Sequence, residues 1–272
     1  NIREIMKKDI SVIIPVHEVT GNFEEYFKRA LQSLVNQVTQ VNEVVLVYPN
    51  TKEVVSWVEE WEKDKPSELK FNLVKNEGKS DFCSQINLGV ENSKSDWFSI
   101  LEFDDEYSRN WFKNVHTYMD HYSEVDIFLP LCIDVNTENN FLGFTNESLW
   151  AMKFSEKLGF LDNNTLLSYQ NFQTSGAVYK KESYEDIGML KPSMKLTFSY
   201  EFLLRATYND FQIMTIPKIG YKHSNMRENS LFWNYKNKPS EKLELDEGSF
   251  WLEAAKKEYF FTYDREVKFE SN

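Results

Sequence analysis

Cysteine is nearly absent. Cys83 and Cys132 stand far apart and in no paired motif, which excludes a disulfide-stapled scaffold and a cysteine-ligated zinc module. Two buried, reduced thiols are expected, and they fit a cytoplasmic protein. Glycine (9) and proline (7) are scarce among 272 residues, and no stretch reads as a linker or a low-complexity tract. The chain has no apolar run of the roughly 18 residues that a membrane-spanning helix needs, and its opening residues lack the apolar core of a signal peptide. Positive charge is also in short supply: 31 Lys and Arg against 43 Asp and Glu leave a net charge of −12. A nucleic-acid binder needs a basic face, so that class is set aside. A small phosphorylated ligand remains compatible, because a metal ion supplies positive charge locally.

What the chain does contain is aromatic and aliphatic bulk in regular alternation. Short apolar runs at 10–16, 43–47, 69–74 and 97–101 read as buried strands. Between them, Asn22, Thr51 and Asp81 stand as caps before segments with helical periodicity. Strands alternating with helices predict βαβ units, a mostly parallel sheet and right-handed crossovers. A helix with Trp111, Phe112, Val115 and Met119 inward and a strand over 125–135 continue the pattern. Residues 136–171 show no clean period and are expected as loops and short helices. Further on, a strand over 172–180, a helix over 199–208, short strands at 212–216 and 220–223, and a C-terminal helical segment over 248–261 are expected. One domain over 1–272 is predicted, with a ligand-binding half (1–107), a second half (108–231) and a helical extension (232–272).

The organising stretch is Trp97-Phe98-Ser99-Ile100-Leu101-Glu102-Phe103-Asp104-Asp105-Glu106, an apolar strand that ends directly in acids. In an open parallel sheet the carboxyl ends of the strands face the ligand crevice, which brings these acids to it. If the segment stays extended, Glu102 and Asp104 point to one side and share a cation while Phe103 turns inward. Hard divalent ions such as Mg²⁺ or Mn²⁺ bind through one or two carboxylates plus substrate phosphates. A solvated acidic turn is the plainer reading of the same residues.

In order along the chain, Ile10-Ser11-Val12-Ile13-Ile14-Pro15-Val16-His17, Lys75-Asn76-Glu77-Gly78, Asn87-Leu88-Gly89, Glu102-Phe103-Asp104-Asp105, Ser175-Gly176-Ala177-Val178, the segment 200–205 and the segment from His223 to Leu231 resemble the GT-A nucleotide-sugar glycosyltransferases of family two. The resemblance implies a Rossmann-like GT-A fold and a metal-dependent, inverting transfer of a sugar in glycan biosynthesis. The donor would be a nucleotide-diphosphate sugar, a UDP-sugar favoured, and the acceptor a hydroxyl of a glycan or another molecule. It also implies roles: Pro15, His17, Glu18, Tyr48, Lys79, Glu102, Asp104, Asp105 and Arg227 around the nucleotide sugar, Asp104 and His223 on a Mn²⁺ or Mg²⁺ ion, and Glu201 as general base.

The sequence departs from the family pattern in four places. The first acid of the acidic segment is Glu102 rather than Asp, a longer arm expected to reach the ribose rather than the ion. The second strand ends Val47-Tyr48-Pro49-Asn50 without the usual acids, so Tyr48 is expected to stack on the base instead. Ile86 stands where an Arg is common, which makes Lys79 the nearest cation. The acidic pair before Arg205 falls at Phe198-Ser199, so Glu201 becomes the nearest carboxylate, with Asp186 its rival. Glu201 and Arg205 are also spaced for an ordinary helix ion pair. Two other classes stay open: a binding domain whose catalytic site has decayed, and a sugar-phosphate nucleotidyltransferase. The latter is disfavoured because 16–21 holds one Gly and no Lys or Arg.

Overall fold

The computed structural model describes residues 8–147, 159–225 and 247–262. Its first half is built from parallel units. Strand β1 (Ile10–Pro15), helix α1 (Phe23–Val35), β2 (Glu43–Pro49), α2 (Lys52–Trp61), β3 (Phe71–Asn76), α3 (Phe82–Glu91) and β4 (Trp97–Ile100) follow in turn. β2 and β4 both pair β1 in parallel, and β3 pairs β2 in parallel. Every residue of β1 and β4 is buried, which explains why their apolar runs are continuous rather than alternating.

The second half adds β5 (Glu106–Tyr107), α4 (Trp111–His121), β6 (Ile127–Val135), β7 (Phe141–Thr145), β8 (Phe160–Leu161), α5 (Asn163–Ser168), β9 (Val178–Lys180), α6 (Lys181–Asp186), α7 (Phe198–Tyr208), β10 (Ile213–Ser224) and α8 (Glu247–Glu258). The ten strands form one sheet in the order β3-β2-β1-β4-β9-β6-β10-β5, with β7 beside β6 and β8 beside β10. β9 runs antiparallel between β4 and β6, so the sheet becomes mixed beyond β4. The segment expected as two short strands is the single β10, interrupted by register shifts around Ile216, Ile219 and Tyr221. β7, in the stretch expected as loops, is an exposed edge strand.

Alternate strand residues feed two cores. Val12 and Ile14 of β1 join Val44 and Leu46 of β2 under α1, α2 and α4. Ile13, Val45 and Val47 face the opposite way, toward α3, α7 and α8. Both cysteines are buried and free. Among the described residues no helix is long and apolar enough to cross a membrane.

Candidate active site

The strand order runs outward from β1 to β2 and β3 and then returns to β4 on the other side. The crevice at such a reversal, beyond the carboxyl ends of β1 and β4, is where open α/β sheets bind ligands. β4 stops at Ile100, and the acidic segment that follows does not stay extended. The Asp105 N–H donates to the Glu102 carbonyl at 3.1 Å and closes a turn. Phe103 packs against Phe23 of α1 with ring centroids 4.9 Å apart. The turn changes which acids converge. In an extended chain Glu102 and Asp104 would share a side, but across a four-residue turn the first and fourth positions come together.

Accordingly, Glu102, Asp105 and His223 offer ligand atoms that all lie within 4.8 Å of one another. Asp104, expected as the metal ligand beside His223, is not in this group. It is nearly buried, and its carbonyl accepts the Ser224 hydroxyl at 2.6 Å. The Ser224 N–H donates to Asp105 Oδ1 at 2.7 Å, so the end of β10 is latched to the acidic turn at two points. Asp105 is 1 % exposed, and among the described residues its Oδ2 has no hydrogen-bond partner.

Residues outside the expected set hold this group in place. The Glu102 N–H donates to the Tyr221 hydroxyl at 3.1 Å. Ser175 donates to Glu102 Oε1 at 3.4 Å. Asp134 faces His223 in the parallel β6–β10 register, and its Oδ1 lies 2.9 Å from His223 Nδ1. The Thr145 hydroxyl donates to the other oxygen of Asp134. A carboxylate behind a ring nitrogen fixes the orientation of an imidazole, a common arrangement behind metal-binding histidines. Asp134 had one visible signal: it is a charged residue inside the otherwise apolar β6. Ser175 lay in the Ser175-Gly176-Ala177-Val178 segment without a role assigned to it; Tyr221 and Thr145 had no signal.

The electrostatics are those of a site short of positive charge. Burial pushes the Asp105 carboxyl well above its usual range; Asp104 and Glu102 push the same way, and His223 opposes them. Burial alone would depress His223, but Asp105, the hydrogen bond from Asp134 and the Glu102 charge raise it to about 10. At neutral pH a proton therefore occupies the place between these acids. Two carboxylates and an imidazole form a donor set that could hold a divalent ion. Among the described residues no group satisfies the second Asp105 oxygen, which leaves it available as a ligand atom.

The remaining expected residues separate into groups. Pro15 is buried at the end of β1, with His17 and the exposed Glu18 just beyond it. His17 Nδ1 sits 3.0 Å from the Ser80 carbonyl and 3.1 Å from Gln85 Nε2, and its ring stacks 6.2 Å from Phe82. Exposed Lys79 belongs to the same loop, which is clipped by Asn76 bonding Gly78 N–H and Lys79 O. Tyr48 is not brought to this place. It packs on the α1/α2 side of the sheet, where burial raises its hydroxyl, Lys75 opposes the shift, and Glu59 of α2 and Glu62 just after it add to it. The alternation of β2 sets this placement: Val47 faces α3, and Tyr48 faces the α1/α2 side. Arg227 lies outside the described residues.

Glu201 is corrected as well. It lies on α7 with 0 % exposure. Arg205 holds both of its oxygens, Nε to Oε1 at 2.9 Å and Nη2 to Oε2 at 3.0 Å, and buried Lys191 adds a contact at 3.4 Å. A sealed carboxylate gripped by two cations cannot receive a proton from an acceptor hydroxyl. Ser199, which precedes it, bonds the Thr174 hydroxyl at 2.7 Å. Asp186, the rival acid, is exposed at the end of α6.

No curated protein matches the chain. Among solved structures, S. aureus TarS 1–349 in complex with UDP is similar with a TM-score of 0.59 and 17 % identity, over 79 % of this chain and 60 % of that one. The same fragment with UDP-GlcNAc gives 0.61 and 16 %, over 82 % and 60 %. S. aureus TarS itself gives 0.58 and 16 %, over 83 % of this chain and 38 % of that one. The chain thus spans at most about three-fifths of the length of these neighbours, and at such identities the likeness speaks for the fold, which is GT-A. The model of the family described as Glycosyl transferase family 2 matches residues 11–188, and the chain belongs to that family.

Proposed function

We propose that this chain binds a nucleotide-diphosphate sugar with a divalent cation and transfers the sugar to an acceptor hydroxyl. The observation that carries the reading is the convergence of Glu102, Asp105 and His223 beyond the carboxyl end of β4, beside the end of β1. The family membership and the fold shared with proteins solved with UDP and UDP-GlcNAc support it. Glu102, Asp105 and His223 would hold Mn²⁺ or Mg²⁺. Such an ion, when bound, neutralises the charge that gathers on the departing diphosphate. Asp134 keeps the His223 ring turned toward the group. His17, Gln85 and the Asn76–Ser80 loop form the wall on which the nucleoside would rest, with Lys79 available to a phosphate. In an inverting transfer the acceptor oxygen bonds to the anomeric carbon as the bond to the diphosphate breaks. The diphosphate leaves with the electron pair, and the hydroxyl proton goes to a base, which is not Glu201.

The sealed state of Glu201 and the Ser199–Thr174 pair favour a second reading, a nucleotide-sugar-binding domain without transfer. One experiment separates the two. A panel of nucleotide sugars is incubated with the protein and Mn²⁺, with and without chelator, and both binding and nucleotide release are followed. Metal-dependent release of the nucleoside diphosphate supports transfer. Binding without release supports the second reading, and neither would refute both.

A further inference from the structure

Away from the acidic turn, a depression of about 680 Å³ opens between the C-terminal half of α1 and the edge strand β5. Arg29 and Arg109 both line it. Neither guanidinium has a hydrogen bond or ion pair among the described residues, and the Arg29 Nε–H is buried without an acceptor. Arginines near a helix C-terminus ordinarily bond its orphan carbonyls. Here those carbonyls are already taken. The Asn36 N–H bonds Gln32 O, the Gln37 N–H bonds Leu34 O, the Gln37 side chain bonds Ser33 O at 2.9 Å, and the Gln40 side chain bonds Val35 O at 2.9 Å. The one acid in the lining, Glu106, is paired with Lys222 at 2.6 Å. In a chain of net charge −12, this depression is locally cationic; the Arg29 guanidinium lies over the Tyr26 ring, 4.9 Å from its centroid, and among the described residues its Nε–H has no acceptor. A buried donor left unsatisfied in a native structure calls for an explanation, and a bound anion is one that suits a guanidinium.

We propose that this depression is a second binding site, distinct from the acidic turn, for a phosphate-class oxyanion gripped by Arg29 and Arg109. The planar fork of a guanidinium matches two oxygens of a phosphate or phosphate ester. The site borders the machinery described above through β5, because Glu106 follows Asp105 and pairs in register with Lys222, the neighbour of His223.

The test follows the ¹⁵N-labelled Nε–H signal of Arg29 in the full chain at constant ionic strength. Inorganic phosphate and dimethyl phosphate are titrated in separate arms, with chloride as control. The proposal expects a saturating shift in the millimolar range with at least one phosphate probe and none with chloride. The arm that saturates tells a phosphomonoester-like ligand from a diester. In Arg109→Gln the affinity should fall about tenfold or more, as expected for loss of a charged hydrogen-bonding partner. Arg109 is exposed, so this variant keeps its fold even if Arg29→Gln does not. A shift that never saturates, or one that Arg109→Gln leaves unchanged, overturns the proposal.

Discussion

Replacing Glu201 with Gln distinguishes a structural carboxylate from a catalytic one. In the folded protein Glu201 Oε1 receives Arg205 Nε and Lys191 Nζ, and Oε2 receives Arg205 Nη2. Gln keeps one acceptor oxygen and puts an amide N–H₂ against a cationic donor at the other position. The two cations retain some partners. Arg205 also bonds the Ile187 carbonyl, Met189 O at 2.6 Å and Thr262 O at 3.2 Å, while Lys191 bonds Phe261 O at 2.6 Å and lies 3.4 Å from Glu258. Removing one partner of a buried ion pair typically costs about 3–5 kcal/mol, and the retained carbonyls place this case near ~3 kcal/mol. For a domain of this size about 2–4 °C of melting temperature corresponds to each kcal/mol. A drop of roughly 6–12 °C is therefore expected by calorimetry or circular dichroism. Because α8 and the residues after it are tied through the same cations, protease sensitivity near 258–262 should rise in parallel. A variant that melts within about 2 °C of the parent would refute the structural assignment. If that stable variant also lost activity, Glu201 would return as the base.

Other outcomes follow from the same contacts. Gly176 has φ +70, and a Cβ there would meet the Tyr221 ring at 2.3 Å. Gly176→Ala should therefore cost about 2–4 kcal/mol in urea unfolding and weaken donor binding by shifting the hydroxyl that supports Glu102. Tyr48→Ala should leave the donor Michaelis constant unchanged and lower only stability, whereas His17→Ala should raise that constant; the reverse pattern would put the nucleoside on the other face. The pKa of His223 is raised from 6.5 to about 10 in the folded protein. Its contribution to stability is thus complete below about 6.5 and lost as pH rises through about 10. An ion must displace that proton, so metal affinity should increase with pH across neutrality, with proton release detectable by calorimetry in buffers of different ionisation enthalpy. Asp134→Asn should bring the His223 pKa down, as read by NMR.

The parallel half of the fold was legible because four short apolar runs alternated with segments of helical period; three became buried strands, and β3, at the sheet edge, is only partly buried. The acids after β4 and His223 were legible as one candidate site, but which acids converge with His223 was not. Extension and a tight turn send different pairs to the same side, and the choice depends on Phe103 docking against Phe23 across the chain. Glu201 shows the same limit. Its helical partner Arg205 could be read from spacing, whereas Lys191 and the C-terminal segment that complete the seal come from elsewhere in the chain. Asp134 stood out as a charge in an apolar strand, but its pairing with His223 was hidden because it arises from the β6–β10 register. β10 was divided in the reading because its irregular register at Ile216 and Ile219 breaks the period.

The most direct test of the account is calorimetric titration of UDP into the protein with and without Mn²⁺, for the parent chain and for Asp105→Asn. The account predicts affinity that depends on Mn²⁺ in the parent. In Asp105→Asn, as for loss of a metal-supporting group, that affinity should fall by about 10–100-fold or more, while the unfolding transition stays cooperative. Equal UDP affinity in the two proteins, or binding indifferent to Mn²⁺, would contradict it.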